Sequence, residues 1–386
     1  MKPANSVLAS FGTTVFEVMT RLAMEHQTIN LGQGFPDEDG PDSIKAMLDT
    51  ATREGPNQYP PMLGIPELRQ AVASHNQRFY GLEADWQTEV MVTSGATEAL
   101  AASILALIEP GDEAVVFEPL YDCYVPMLRR AGAEVKFVRL QPPHWELPRE
   151  ELAAAFSPAT KLILLNTPMN PTGKVFNGEE LGFIAGLIQK HDTYAICDEV
   201  YEHLIFDGVK HLPLITLPGM RDRAIRIGSA GKTFSMTSWK VGYLTAAPNL
   251  LGLIAKAHQF LVFTTPSNLQ RAVAHGLDNE QDWYTHLAVA LQGKRDMLQG
   301  ALTEIGFDVM PCGATYFMNA DYRPLGFDGT DVDFCRHVTI EAGVTVLPVS
   351  ALYATPDVDH LVRFCFCKKD AVLQGAVDRL RAFFRP

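Results

Sequence analysis

The chain has 386 residues, of which 47% are hydrophobic and 20% charged, and its 32 basic and 45 acidic residues give a net charge of −13 at pH 7. This composition is typical of a globular protein of two or three domains and excludes a disordered, collagen-like or disulfide-stabilised chain. The acidic balance repels nucleic-acid backbones and anionic lipid, and no basic run offers a local exception. Without a membrane-length apolar run or a signal-peptide core, we expect a cytoplasmic protein.

The six cysteines include no C-x-x-C pair, so they predict neither a zinc site nor a redox pair. Cys365 and Cys367 are two positions apart in an apolar run, which puts both side chains on one face of a strand. We interpret the cysteines as buried structural thiols.

Two amphipathic helices are predicted first along the chain. One covers about 43–54 and is stopped by Gly55 and Pro56, and the other starts at Pro66 and is ended by Gly81. From Glu89 onward, short β-branched runs alternate with longer amphipathic runs, which is typical of strands joined by crossover helices into a parallel sheet. The predicted strands are VMVT (90–93), EAVVF (113–117), EVKFV (134–138), KLILLN (161–166), YAICD (194–198), RAIRIG (223–228) and VGYLTA (241–246).

The pattern changes after Pro266. A long helix is predicted over about 280–305, followed by short strands at 307–310 and 314–319, a helix at 332–341, the run VTVLP, the strand LVRFCFC and a terminal helix. Strands and helices without parallel crossovers indicate a second, smaller α+β domain. We therefore predict an α/β fold with an N-terminal arm (1–38) that is part of the small domain, a large, mostly parallel-sheet domain (39–277) and a small C-terminal domain (278–386).

Ligands of open parallel sheets bind beyond the carboxyl ends of the strands, so residues just past each predicted strand are candidate site residues. After the first strand, Gly95, Ala96 and Thr97 open a helix whose free backbone N–H groups suit an anion such as phosphate. After the second strand, Tyr121 puts an aromatic ring beside the same crevice. Ordinary packing is the alternative interpretation of that ring.

Two polar residues end or follow the next strands. Asn170 lies between two X-Pro turns after KLILLN, which hold it in an extended or turn conformation. Asp198 ends the apolar strand YAICD, and a carboxylate there must be paired if it is buried. A paired Asp198 is able to hold a proton on a ring nitrogen, whereas a helix cap or a solvated turn is the alternative.

One lysine, Lys232, lies in a loop of small residues after RAIRIG, where desolvation makes an amine nucleophilic. Lys240 follows eight residues later, and a solvated charge is the alternative for a loop lysine. A lysine forms a Schiff base with a carbonyl, a carboxylate holds a pyridinium proton, and an amide and a phenol steady a phenolate oxygen. Together with the phosphate site, these groups fit one ligand, pyridoxal phosphate.

Eight segments carry these residues: NLGQGFPD, NQYPPMLGIPELRQA, SGATEA, EPLYDCY, NTPMNPTGK, CDEVYEHL, GSAGKTFSMTSWKVGY and LVRFCFCK. They resemble the class I aminotransferases of the pyridoxal-phosphate fold type I group, and most of all the methionine aminotransferase, kynurenine aminotransferase and glutamine transaminase K subgroup. The resemblance covers nearly the whole chain from about Val15. Its most specific pattern joins S-x-x-K, with a basic residue eight positions further on, to N-P-x-G and D-E-x-Y.

The resemblance implies a role for each residue around the cofactor ring. Lys232 would carry the internal aldimine and, once substrate releases it, move the proton between the substrate α-carbon and the cofactor. Asp198 would pair with the pyridine nitrogen, and Asn170 and Tyr201 would hydrogen-bond the ring oxygen. Tyr121, a phenylalanine in close relatives, would stack on the ring face.

The resemblance also implies partners for two anionic groups. The cofactor phosphate would be held by Gly95, Ala96, Thr97, Ser229 and Lys240. Tyr59 would reach a phosphate in the neighbouring subunit, so a homodimer with shared active sites is expected. Arg363 would clamp the substrate α-carboxylate because its planar fork suits a carboxylate, and Gly34 and Asn170 would line the same group. Many class I relatives have arginine where Lys240 stands, so here the ammonium group of a lysine would contact the phosphate in place of a two-pronged guanidinium group.

A neutral substrate side chain is favoured. Selectivity for aspartate-like side chains in this family uses a second arginine from the partner subunit, and the matching stretch 261–266 has none. Phe16 and Phe263 resemble the aromatic wall of the kynurenine and glutamine transaminase pocket, and Tyr124 adds to it; interface packing is the alternative for Phe16 and Phe263. We expect a ping-pong aminotransferase that takes methionine, an aromatic amino acid or glutamine as donor and a 2-oxo acid as acceptor.

Three other functions are compatible with part of the sequence pattern. A carbon–sulfur β-lyase of the same fold, acting on cystathionine or cystine, is the main alternative because the motifs barely separate the two reactions. A binding or regulatory module would lack the lysine or carry an added DNA-binding segment. A dinucleotide-binding dehydrogenase is disfavoured because the G-x-G at Gly32–Gly34 lacks the following glycine and a preceding βαβ strand.

Overall fold

The computed structural model describes residue 2 and residues 4–385 and shows an α/β protein with a seven-stranded, a four-stranded and a two-stranded sheet. The helices are α1 (Ser6–Ala9), α2 (Val15–Glu25), α3 (Asp42–Glu54), α4 (Pro66–Tyr80), α5 (Trp86–Glu89), α6 (Gly95–Leu107), α7 (Tyr124–Ala131), α8 (Arg149–Ala154), α9 (Gly178–His191), α10 (Ala230–Thr233), α11 (Pro248–Leu261), α12 (Ser267–Asn279), α13 (Gln281–Ile305), α14 (Asp331–His337) and α15 (Asp370–Phe384). The strands are β1 (Ile29–Asn30), β2 (Val90–Thr93), β3 (Glu113–Glu118), β4 (Glu134–Arg139), β5 (Thr160–Asn166), β6 (Tyr194–Asp198), β7 (Ala224–Ser229), β8 (Gly242–Thr245), β9 (Asp308–Val309), β10 (Phe317–Asp321), β11 (Val344–Thr345), β12 (Leu347–Pro348) and β13 (Leu361–Cys365). Within these ranges, no helix is long and apolar enough to cross a membrane.

The seven-stranded sheet has the order β2-β8-β7-β6-β5-β3-β4. Its neighbours from β7 to β4 are parallel, as the alternating pattern predicts, but β8 is antiparallel to both β7 and β2. The prediction of a mostly parallel sheet is confirmed, and β8, within the predicted strand VGYLTA, is the strand that runs the other way. The segment between β7 and β8 holds only the short helix α10 and a single 3₁₀ turn, so no long crossover helix carries the chain back before β8 pairs with β7.

Both faces of this sheet are buried, as expected for parallel strands covered by helices. In β5, Leu162 and Leu164 pack on one face with residues of α6, α7 and α11, and Ile163 and Leu165 pack on the other with residues of α8 and α9. Because successive side chains of a strand point to opposite faces, one apolar run contributes to the hydrophobic cores on both faces of the sheet.

The strand ends that matter for function lie along one edge of the sheet. Asn166 at the end of β5 pairs with Asp198 at the end of β6. Because β8 runs the other way, its first residue, Gly242, pairs with Ser229 at the end of β7 and with Thr93 at the end of β2. The loops after β2, β5, β6 and β7 and the loop before β8 therefore meet at this edge.

A buried ion-pair network stabilises the segment that follows β6. Arg226 on β7 is 1% exposed and forms an ion pair of 2.8 Å with Glu199 and a second ion pair with Glu202, and both carboxylates are buried. Burial, the largest single effect, would raise the pKa of Glu202, but Arg226, His75, His203 and the Tyr80 hydroxyl together lower it by more, and the net pKa is lowered. The chain between Asp198 and Glu202, which carries Tyr201, is thus fixed by charge as well as by packing.

The C-terminal part contains the antiparallel sheet β12-β13-β10-β9, whose core includes residues of α13, α14 and α15. The N-terminal segment joins it through the parallel pair β1 and β11. The predicted strand 314–319 begins later, at Phe317, because Thr315 has a φ of +69°, outside the β region. The predicted helix 332–341 is α14 followed by a π-helical turn, Val338–Ala342. The domain boundaries at residues 38 and 277 stay a prediction.

All six cysteines are free thiols, and five of them are buried. Cys365 and Cys367 belong to the core beneath β13, with their Sγ atoms 3.3 Å apart. The placement agrees with a structural interpretation of these thiols.

Candidate active site

A cavity of about 390 Å³ opens at the edge of the sheet where these strand ends meet. It is within the usual size range of small-molecule sites. The residues predicted for the site that line it are Phe16, Gly34, Gly95, Ala96, Thr97, Tyr121, Tyr124, Asn170, Asp198, Tyr201, Ser229, Lys232, Lys240 and Arg363. They come from segments far apart in sequence, and the fold brings them to one place.

Lys232 lies in the short helix α10, directly after β7, and its amine points into the cavity. The Lys232 Nζ donates a hydrogen bond of 2.8 Å to the Tyr316 hydroxyl. Burial lowers the pKa of the amine, and Cys367, Cys365 and Asp198 oppose that shift only in part. A lysine in this environment loses its proton more readily than a surface lysine, so more of it is the neutral amine, which is the form that acts as nucleophile and base.

Asp198 ends β6 with its side chain 5% exposed. The Tyr124 hydroxyl donates a hydrogen bond of 2.7 Å to Oδ2 of Asp198, and the Val200 backbone N–H lies 3.4 Å from Oδ1. Burial raises the pKa of the carboxyl, although these two hydrogen bonds and Lys232 lower it in part. A cation at this place would remove the cost of burying the charge. Tyr124 is 2% exposed, so its hydroxyl supports Asp198 while one edge of the ring lines the cavity.

Arg363 on β13 is 1% exposed and lines the same cavity. Its Nη1 donates to Oδ1 of Asn170 and its Nη2 to the carbonyl of Gly32, each at 2.9 Å. The Nε has no hydrogen-bond partner among the described residues. The guanidinium carbon lies 3.9 Å from the ring centroid of Phe317 and 5.3 Å from that of Phe16. A charged group is therefore buried against neutral oxygens and aromatic rings, which favours an incoming anion.

The first turn of α6 forms a different end of the cavity. Its N-cap residue, Ser94, makes no side-chain capping hydrogen bond, so that side chain leaves the first backbone N–H groups of the helix uncapped. Gly95 has a φ of +74°, and a Cβ on Gly242 would lie 2.5 Å from the Gly95 carbonyl carbon. Two glycines thus let β8 approach the helix start closely enough for Lys240 and Ser229 to face it. This end suits a phosphate.

Two predicted residues do not line the cavity of a single chain. Tyr59 is 84% exposed and Phe263 is 41% exposed, and their ring centroids lie 5.4 Å apart in an edge-on contact. Phe260, three residues before Phe263 in the sequence, is 85% exposed. All three aromatic side chains lie on the surface of the described chain.

Several cavity residues were not predicted from the sequence. They are Thr14, Leu100, Asp122, Asn166, Val200, Gly231, Thr237 and Phe317. Tyr316, whose hydroxyl contacts Lys232, was not predicted either. Asn166 carried a usable signal, because it is a polar residue that ends an apolar strand. Tyr316 and Phe317 carried none, since they belong to an apolar run that is typical of strand core.

The comparisons with known proteins agree with this geometry. The model of the family "Aminotransferase class I and II" matches residues 26–380. The chain is 42% identical to the methionine aminotransferase of Escherichia coli (97% of each chain) and 41% identical to the kynurenine–oxoglutarate transaminase of Dictyostelium discoideum (98% of this chain, 96% of the relative). The solved structure of N-succinyldiaminopimelate aminotransferase from Mycobacterium tuberculosis superposes with a TM-score of 0.96 at 43% identity, covering 98% of this chain and all of that one. The chain therefore belongs to the class I and II aminotransferases and is a pyridoxal-phosphate-dependent enzyme of fold type I.

Proposed function

We propose that this aminotransferase moves the amino group of a neutral L-amino acid, with methionine as the first candidate donor, to a 2-oxo acid. The observation that carries the proposal is the buried Arg363 guanidinium with an unpartnered Nε, in the same cavity as Lys232. An amino acid and its 2-oxo acid share one α-carboxylate, and a buried arginine fork is the side chain best suited to hold it.

The residues present fit pyridoxal phosphate. The uncapped N-terminus of α6, with Ser229 and Lys240 beside it, offers backbone N–H groups, a hydroxyl and a positive charge to the phosphate. Asp198 offers a carboxylate whose pKa is raised by burial and that gains from a protonated ring nitrogen as its partner. The phosphate would therefore accept hydrogen bonds from the uncapped N–H groups of α6, and the ring nitrogen would pair with the buried carboxylate of Asp198.

The ring itself would lie between these two ends. Asn170 and Tyr201 line the cavity on the side of Arg363 and would hydrogen-bond the ring oxygen, and Tyr121 would stack on the ring face. Burial raises the pKa of the Tyr201 and Tyr121 phenols, so both hydroxyls keep their hydrogens and act as donors.

The chemistry divides between cofactor and protein. Bound pyridoxal phosphate supplies an electron sink for the charge that remains when the substrate α-proton is removed. The Lys232 amine would anchor the cofactor and, when free, would take the proton from the substrate α-carbon and return it. Arg363 would hold the α-carboxylate, and Asp198 would keep a proton on the ring nitrogen.

Selectivity for a neutral side chain rests on what surrounds Arg363. The described cavity residues include Phe16 and Phe317 but no second arginine, and Lys232 and Lys240 are assigned to the cofactor, so a side-chain carboxylate would be buried without a cation of its own. The names of the two curated relatives above point to methionine and kynurenine as substrates of those proteins, and both have neutral or aromatic side chains. No observation favours the β-lyase.

The proposal includes a homodimer in the cytoplasm with shared active sites. A single chain leaves Tyr59, Phe260 and Phe263 exposed, and Tyr59 and Phe263 are in contact with each other, which is typical of an interface. In a dimer, Tyr59 of the partner would approach the phosphate and Phe263 of the partner would complete the aromatic wall beside Phe16.

The assignment of Asp198 predicts opposite effects on stability and on cofactor binding. Burial raises the pKa of Asp198 above its ordinary value of 3.8, so the folded protein without cofactor loses stability as the pH rises through the folded pKa. Asp198→Asn removes this cost. At pH 7 the cofactor-free variant should melt at the same temperature as wild type or a few degrees higher, and the gap should shrink as the pH falls. The variant should bind pyridoxal phosphate at least about tenfold more weakly.

Thermal melts at several pH values and a cofactor titration test this pair of effects. Asp357→Asn, at an exposed carboxylate paired with Arg139, is the control and should change neither quantity much. A cofactor-free Asp198→Asn protein that is clearly less stable than wild type at pH 7 would contradict the assignment.

The reaction predicts a reversible spectral change. The visible absorbance of the loaded enzyme should disappear with L-methionine and return with a 2-oxo acid, and Lys232→Ala should show neither change. Over a panel of donors, kcat/KM for methionine, phenylalanine, kynurenine or glutamine should exceed that for aspartate and glutamate by about 100-fold, because an unpaired charge is rejected strongly by a buried site.

Turnover with aspartate or glutamate alone would overturn the neutral-donor proposal. The panel should also hold N-succinyl-LL-diaminopimelate, because a structural relative bears the name of that activity. Release of pyruvate and ammonia from cystathionine or cystine without an acceptor would favour the lyase.

Shared active sites predict complementation between two inactive variants. In a hybrid of Tyr59→Ala with Lys232→Ala, one site has an intact Lys232 from one chain and an intact Tyr59 from the other. Unfolding and refolding a 1:1 mixture should therefore give about a quarter of the wild-type activity, since half of the dimers are hybrids with one native site each. Activity that equals the average of the two separate variants would show that the sites are not shared.

A further inference from the structure

A buried tyrosine hydroxyl contacts the amine of Lys232. Tyr316 lies one residue before β10, is 1% exposed, and has its hydroxyl oxygen 2.8 Å from Nζ of Lys232. The same hydroxyl lies 3.0 Å from the carbonyl oxygen of Gly34, which is the acceptor of its hydrogen. Nothing in the cofactor assignment above uses Tyr316.

The direction of these two hydrogen bonds follows from chemistry. A phenol has one hydrogen, and a carbonyl oxygen is only an acceptor, so the hydrogen of Tyr316 goes to Gly34. Burial raises the pKa of this phenol well above its ordinary value of 10.0, which keeps that hydrogen in place at working pH. The Tyr316 oxygen is therefore left as an acceptor, and Lys232 must be the donor.

This arrangement leaves the amine ready to accept a proton. A neutral amine that gives one N–H to Tyr316 keeps its lone pair for another partner. The ring centroid of Tyr201 lies 5.6 Å from Nζ, so the protonated amine also gains an aromatic ring nearby. Both protonation states of Lys232 are thus held at one position.

The hydrogen bond also connects the lysine to the other end of the site. Gly34 follows the turn at Gly32, whose carbonyl accepts from Arg363. The segment 32–34 is therefore held by Tyr316 at one end and by Arg363 at the other. Lys232, through Tyr316, and Arg363 are thus both connected to the same short segment, 32–34.

We propose that Tyr316 is a positioning residue for Lys232, whose oxygen holds the released amine so that its lone pair takes and returns the substrate proton. The proposal rests on the proposed function, because it assigns Tyr316 to the proton transfer of that reaction. It is carried by the two hydrogen bonds of one buried hydroxyl.

Tyr316→Phe tests it, because the ring stays and only the hydroxyl is lost. In single-turnover experiments with loaded enzyme and L-methionine, the rate constant should fall about 10- to 100-fold, the usual effect of a misplaced reacting group. The fall should be accompanied by a larger isotope effect with α-deuterated methionine, since proton transfer becomes more nearly rate-limiting. Tyr353→Phe removes another buried hydroxyl, one without a hydrogen-bond partner among the described residues, and should match wild type.

A second readout needs no turnover. In the cofactor-free protein, acetic anhydride acylates only the neutral amine, and mass spectrometry of the Lys232 peptide follows the reaction against pH. An oxygen acceptor stabilises an ammonium more than an amine, so its loss lowers the amine pKa further, and the Tyr316→Phe profile should move to lower pH than the wild-type profile.

A Tyr316→Phe enzyme that matches wild type in both readouts would overturn the proposal. So would slow turnover with an unchanged isotope effect and an unchanged acylation profile, because that pattern indicates a structural role only. If wild-type enzyme reacts with no amino donor, the proposed function fails, and the acylation profile alone decides whether Tyr316 holds the amine.

Discussion

The Arg363 guanidinium is buried in a cavity where its hydrogen bonds go only to neutral oxygens, and the other features of the site depend on this constraint. A cation in that position is costly unless an anion visits it, so the fold keeps it in place with the carbonyl of Gly32, Oδ1 of Asn170 and the ring of Phe317. Asn170 and Phe317 also line the cavity in front of Lys232. In the proposed function, the α-carboxylate of an amino acid would remove the imbalance and bring its α-carbon toward the amine.

The large sheet explains how distant segments supply one site. Parallel strands β5, β6 and β7 end at the same edge, and the antiparallel β8 begins there, so loops on both sides of β8 contribute. Lys240 precedes β8, whereas Lys232 follows β7, and both face the cavity for this reason. The Arg226 network beneath the edge fixes the chain that carries Asp198 and Tyr201. Rigid elements thus hold each group, which a reaction with a precise proton transfer requires.

Much of this arrangement could be predicted from the sequence. The seven strands of the large sheet were predicted to within about one residue at most ends, because β-branched runs with polar ends have few other interpretations. The polar residues that follow those runs, from Gly95 to Lys232, do line the cavity. The direction of β8 was not predicted, since a strand has the same period in either direction. Tyr316 was missed because an aromatic residue in an apolar run is typical of a core. Tyr59 and Phe263 lie on the surface of the chain, and the roles expected of them depend on the proposed dimer.

In the proposed function, the cofactor is anchored to Lys232, at the place where the strand ends and Arg363 converge. Borohydride reduction of the enzyme loaded with pyridoxal phosphate, followed by proteolysis and mass spectrometry, identifies the anchoring residue. We expect one reduced pyridoxyl phosphate per chain, on the peptide that contains Lys232, and none on that peptide in Lys232→Ala. A label on Lys240 or on a surface lysine, with Lys232 unmodified, would show that Lys232 is not the anchor.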